Sequence, residues 1–171
     1  MTVITKVGFD PLTERELYSL SIDRLDEIPE SINLSSEHFA CFIAWDSEST
    51  SVDEISKLVE VLIKNGGAYF CSWGNDCQRV HDIIDGIDAY PYNNIGSPED
   101  SVIMTSWHEN ESIDEALYYF LTFTSPDEFY ESSMNSSLAI SIGSKEWSNV
   151  IDSALMNPTI FRENIEAKEV D

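Results

Sequence analysis

Apolar positions along this chain fall into two patterns, short continuous runs and longer stretches with apolar residues three and four apart, and their alternation predicts successive strand and helix units. Phe39 to Trp45 (FACFIAW) is an uninterrupted apolar run of strand length, followed by the polar Asp46 to Thr50. It predicts a buried strand. Ser51-Val52-Asp53-Glu54 then opens a helix, with Ser51 as N-cap, Glu54 closing a capping box, and Val52, Ile55, Val59 and Leu62 on one face. The helix stops at Asn65-Gly66-Gly67, where glycine tolerates a left-handed backbone, and Ala68 to Trp73 (AYFCSW) forms the second strand.

Gly74-Asn75-Asp76 is a turn and cap signal ahead of a short helix from Cys77 to Ile84, and Asp88 to Glu99, with Pro91, Gly96 and Pro98, predicts a loop. Ser101 to Trp107 (SVIMTSW) is the third strand. A second capping box, Ser112-Ile113-Asp114-Glu115, starts a helix that ends at Ser125-Pro126-Asp127. Ser137 to Ile142 is the fourth strand, and Trp147 to Met156 a final amphipathic helix stopped near Pro158. Leu17 to Ile22 fits either a helix capped from Thr13 or an alternating strand, and both remain open. The charged segment from Arg162 to Asp171 predicts a frayed terminus. Together these elements predict an α/β protein, a single-domain, Rossmann-like three-layer sandwich with a mostly parallel sheet of about four to five strands. An N-terminal segment, 1–38, would pack on a core of residues 39–160, followed by a charged tail, 161–171.

Charge adds what the pattern cannot. The 171 residues carry 32 Asp plus Glu against 9 Lys plus Arg, a formal net charge of −23, yet 42% are apolar and 11% aromatic, which a disordered acidic chain would lack. From Val80 to Ser144 there are twelve acidic residues and no Lys or Arg. That stretch contains two strands and a helix, so its negative field belongs to the folded body and favours a cationic partner or a metal ion. DNA, RNA and anionic membrane surfaces are disfavoured because each needs basic patches. Solubility alone is the competing explanation of the charge. No secretory signal follows Met1, no apolar run approaches the roughly 18 residues of a membrane span, and Cys41, Cys71 and Cys77 are odd in number, so reduced thiols and a cytoplasmic location are expected.

Three strands end alike, in Trp45-Asp46, Trp73-Gly74-Asn75-Asp76 and Trp107-His108-Glu109. If they are parallel, these ends share the rim where open α/β sheets hold ligands. Asp46, Asp76 and His108 are the candidate catalytic groups, with His108 as general acid or base and Glu109 beside it; the competing reading is that the acids cap helices. No nucleophile motif accompanies His108. Cys77 and His81, four apart, are weak zinc candidates lacking a second ligand pair. No glycine-rich phosphate loop follows a strand, and no cofactor is expected. Asp82, Asp85, Asp88, Glu109 and Glu111, with Tyr90, Tyr92 and Tyr130, are candidate partner-binding residues, since aromatic side chains ringed by acids make plausible anchors.

The segments AYFCSWGNDC (68–77) and VIMTSWHENE (102–111) resemble the signature stretches, W-G-x-D-C and M-T-x-W-H-x-x-E, of an uncharacterised family of small acidic bacterial proteins, a domain of unknown function. The likeness covers the middle third of the chain. It implies a bacterial cytosolic origin, draws attention to Trp73, Asp76, Cys77, Trp107 and His108, and carries over no activity. Two functions are expected. One is a non-enzymatic inhibitor or immunity-type protein that neutralises a basic toxin or nuclease. The other is a small α/β enzyme or ligand or metal sensor using Asp46, Asp76, His108 and Glu109.

Overall fold

The computed structural model describes residues 2–89, 97–98 and 101–169. In chain order they form β1 (Thr5–Asp10), β2 (Arg15–Ile22), β3 (His38–Trp45), α1 (Val52–Lys64), β4 (Gly67–Trp73), α2 (Cys77–Ala89), β5 (Met104–His108), α3 (Ile113–Phe123), β6 (Met134–Ile142), α4 (Lys145–Met156) and α5 (Pro158–Glu169). One six-stranded sheet runs in the order β1-β2-β6-β3-β4-β5. Every neighbouring pair is parallel except β1 and β2. The α/β class and mostly parallel sheet are as the sequence predicts; the sheet has six strands rather than four to five.

Both sides of the sheet are covered. Phe39, Cys41, Ile43 and Trp45 of β3 join Ile55, Val59 and Leu62 of α1 and Val80 and Ile84 of α2 in one core. Ala40, Phe42 and Ala44 on the opposite face join Leu117 and Phe120 of α3 and Ile151 and Leu155 of α4 in the other. A strand buried between two helical layers must be apolar on both faces, which explains the unbroken FACFIAW run. Both capping boxes form: Ser51 Oγ accepts from Glu54 N at 3.2 Å, and Ser112 Oγ accepts from Glu115 N at 3.1 Å.

Several boundaries move for identifiable reasons. The N-terminal segment packs on the core and also extends the sheet: β1 and β2 form a hairpin, β2 runs parallel to β6 with Leu20 and Ile22 in the core, and Ile32 is buried in the same core with Leu25, Ile28 and Leu34 against it. Helix α2 continues to Ala89, so Asp88 sits in its last turn and not in a loop. Asp88 accepts from Ile103 N at 2.8 Å, which takes that N–H out of the ladder, so β5 begins at Met104 rather than Ser101. Strand β6 begins at Met134, and its buried Ser136 hydroxyl is satisfied by Ser35 and Ser36 at 3.1 and 2.7 Å.

Up to Glu169, the predicted frayed tail is instead part of α5. Pro158 occupies the first helical position, where its missing N–H costs nothing, so the residue expected to stop a helix starts one. Arg162 then reaches into the core: Nη1 donates to Asp10 Oδ1 at 2.9 Å, Nη2 donates to Asp10 Oδ2 and to the Leu121 carbonyl, and Asp10 is fully buried. A buried carboxylate needs such a partner, and here a C-terminal arginine supplies it to the first strand.

Candidate functional site

Parallel pairing places the carboxyl ends of β3, β4 and β5 side by side, with Trp73 opposite His108 and Ala44 opposite Trp73 in register. Chain order runs outward from β3 through β4 to β5, then returns across β3 to β6. The sheet therefore has its switch point between β3 and β6, the position where open α/β sheets leave a crevice at the carboxyl rim. A cleft of about 330 Å³ lies at that rim, lined by Asp46, Trp73 to Asp76, His108 to Glu111, and Trp147. Asp46, Asp76, His108 and Glu109, separate in sequence, are brought together around it. A larger cleft, about 440 Å³, lies at the amino ends of the strands, between His38, Gly67 and Tyr130.

The close approach of the β3 and β4 ends depends on Gly74. Its φ is +113°, and a Cβ there would lie 2.1 Å from the Trp45 carbonyl oxygen. Asn75 Nδ2 consequently reaches Asp46 Oδ2 at 3.4 Å, bridging the two strand ends. Asp76 and Asn110, at the tips of neighbouring rim loops, are both left-handed, with φ of 65° and 61°. Asp76 is held by Arg79 at 2.6 Å, while Arg79 also donates to the Ser47 and Thr50 carbonyls. Thus one acid of the rim has a structural counter-ion, whereas Asp46 and Glu109 are exposed.

His108 is only 4% exposed and is held on two sides. Its Nδ1 lies 2.9 Å from Glu111 Oε2 and its Nε2 lies 2.9 Å from Ser106 Oγ, which in turn contacts Cys71 Sγ at 3.4 Å. Tyr119 of α3 packs on the ring at 4.7 Å. Burial, opposed by the Ser106 hydrogen bond, pushes the Cys71 thiol up to about 12, so this thiol stays protonated at neutral pH. Carboxylate, imidazole and hydroxyl thus stand in line. The hydroxyl contacts a buried thiol, and Ser106 does not line the cleft.

The three strand-end tryptophans do not share a role. Trp45 is buried in the α1 and α2 core; Trp107 turns outward against His81 of α2 at 4.4 Å; Trp73 alone lines the cleft. Its partner is Trp147, edge-on at 5.2 Å, and the Trp73 Nε1 donates to the Glu111 carbonyl at 2.9 Å. Trp147 was legible only as one face of an amphipathic helix. Its place at the cleft follows from β6 lying next to β3, which no local pattern reveals.

The remaining candidates separate. Asp82 and Asp85 are exposed on α2, and Asp85 pairs with His81 Nε2 at 3.3 Å. Asp88 is committed to the loop, accepting from Ser97 N and Ile103 N at 2.7 and 2.8 Å. Tyr130, expected at the surface, is 4% exposed and packs edge-on against His38, so it belongs to the core. Tyr90 and Tyr92 lie outside the described residues. The second nitrogen of His81 is engaged by Thr105 Oγ1 at 3.1 Å, and no group of three His, Cys, Asp or Glu among the described residues could hold a metal ion, so Cys77 and His81 gain no third ligand. No helix among the described residues is long and apolar enough to cross a membrane.

Both motif stretches end at this rim, and the family model that matches residues 17–158 is described as Domain of unknown function (DUF7684). The chain belongs to this family. The domain extends beyond the middle third marked by the two motifs, from β2 through β6 to Pro158 at the start of α5, so the strands on both sides of the switch point are part of it. Neither the curated proteins nor the solved structures gave a match.

Proposed function

We propose that this protein is a non-enzymatic binding module that captures a basic protein partner, as an inhibitor or immunity-type protein acting on a toxin or nuclease would. The supporting observation is the composition of the rim cleft. Asp46, Asp76, Glu109 and Glu111 line it with two tryptophans and no Lys or Arg. An ammonium or guanidinium group entering there gains the exposed carboxylates of Asp46 and Glu109, Asp76 being paired with Arg79, and aromatic faces, both of which favour a cation. A phosphate or nucleic acid would meet like charge. Exposed Asp82 and Asp85 on α2 extend the same sign of charge along the neighbouring surface, which would accelerate encounter more than it would set affinity. A bacterial cytoplasm is the setting this reading assumes.

Recovery of bound protein from the native cell, first at low and then at moderate salt, tests the proposal. A basic protein that is retained at low salt and weakened by Glu109→Lys supports it. An acidic partner, or a basic one indifferent to both salt and Glu109→Lys, contradicts it.

The second reading is a small α/β enzyme or a ligand or metal sensor built on Asp46, Asp76, His108 and Glu109, favoured by the contact of His108 with Glu111 at the cleft. It requires that His108→Ala together with Asp76→Ala abolish biological activity in a protein that remains folded.

A further inference from the structure

The two edges of the sheet are managed differently. An edge strand exposes unpaired N–H and C=O groups, and proteins blunt such edges with lysine or with bulges. At one edge, β1 carries Lys6, and its register with β2 shifts between Lys6 and Gly8, so charge and a bulge are both present. At the other edge, β5 pairs among the described residues with β4 alone, in unbroken register from Met104 to His108. It carries neither device. No Lys or Arg occurs from Val80 to Ser144, and Met104 and Trp107 are 38% and 43% exposed.

Side chains along β5 alternate between the two faces. Thr105 and Trp107 lie against His81 of α2, the helix that also presents Asp82 and Asp85, while His108 lies on the α3 side with Glu111. An added strand would therefore find, among the described residues, backbone groups with no ladder partner beyond β4, apolar contacts, and carboxylates beside both faces.

We propose that β5 is a docking edge that accepts an extended, lysine- or arginine-rich segment of the basic partner as a seventh strand. The backbone ladder would supply affinity, and alternate basic side chains would meet carboxylates beside the edge, which is the general logic of strand addition. The inference rests on the cationic-partner reading above and adds where, and in what conformation, that partner binds.

Two peptides of about ten residues and equal charge separate strand addition from charge attraction: one alternating Lys and Val, the other alternating Lys and Pro, whose prolines cannot donate to a ladder. Amide hydrogen exchange of the whole protein is followed with each at low salt. The expected result is that the Lys-Val peptide slows amides within Met104–His108 by about tenfold and the Lys-Pro peptide does not. Met104→Lys should remove the protection, and Met104→Glu, a change of the same site to the opposite charge, should retain it. If both peptides bind equally with no slowing in β5, or protection appears at Asn75 to Asp76 and Glu109 to Glu111 instead, strand addition is overturned and the cationic-partner reading stands. Failure of both peptides to bind at low salt overturns the two together.

Discussion

At the scale of single residues, the buried pair of Asp10 and Arg162 shows best how distant parts of this sequence depend on each other. Burial opposes ionisation of Asp10, but hydrogen bonds from Arg162, the Leu12 N–H and the Thr13 hydroxyl, together with the Arg162 charge, outweigh it and hold the carboxyl below its ordinary value of 3.8. A carboxyl held lower in the folded than in the unfolded chain stabilises fully above the unfolded value, and this stabilisation is lost as pH falls through the folded one. Half-buried Glu16, held down to about 2 by hydrogen bonds from Ser35, Lys6 and Tyr18, titrates in the same direction. Arg162→Met should cost about 3–5 kcal/mol at neutral pH by leaving a buried carboxylate unpaired. Urea unfolding as a function of pH checks this, and the variant should lose less further stability than the parent between about pH 4 and pH 2. Nothing local announced the pair, because an Asp near one end and an Arg near the other resemble ordinary surface charges until the fold joins them.

At the scale of elements, the helices were the most legible. Ser51 with Glu54 and Ser112 with Glu115 specify their own starts through contacts only three residues apart, and both caps form. Ser51→Ala and Ser112→Ala should each lower stability by about 1 kcal/mol, measured by chemical denaturation. The two losses should add, since the caps belong to different helices on opposite faces of the sheet. Elements whose identity is decided by distant partners were less legible. Leu17 to Ile22 becomes a strand because β6 offers it a parallel edge, and the Arg162 segment becomes a helix because Asp10 and Thr122 receive its guanidinium. The rim was half legible for the same reason. Asp46, Asp76, His108 and Glu109 could be placed on strand ends, but Trp147 and the burial of Tyr130 required the strand order.

At the scale of the whole molecule, the chain divides its few cations unevenly. Arg15, Arg79 and Arg162 are used to hold backbone carbonyls and carboxylates together, and the stretch from Val80 to Ser144 has none. That stretch forms β5, α3 and β6 and most of α2, and it supplies much of the rim of the cleft. Charge sparing of this kind leaves the carboxylates at the β5 end without neutralising neighbours from that segment. Solubility would be served equally by acids spread over the surface. A partner-binding face requires them to act at one end, and the two explanations therefore differ in what charge reversal there should do.

The direct measurement is the association rate of the purified partner with the parent protein and with a variant carrying Asp82→Lys, Asp85→Lys and Glu109→Lys, from about 0.02 M to about 0.5 M salt. The account predicts that the parent rate falls about tenfold or more with salt, and that the folded variant is slow at low salt and no longer slowed by adding more. A variant that associates as fast as the parent, with the same salt dependence, would contradict it.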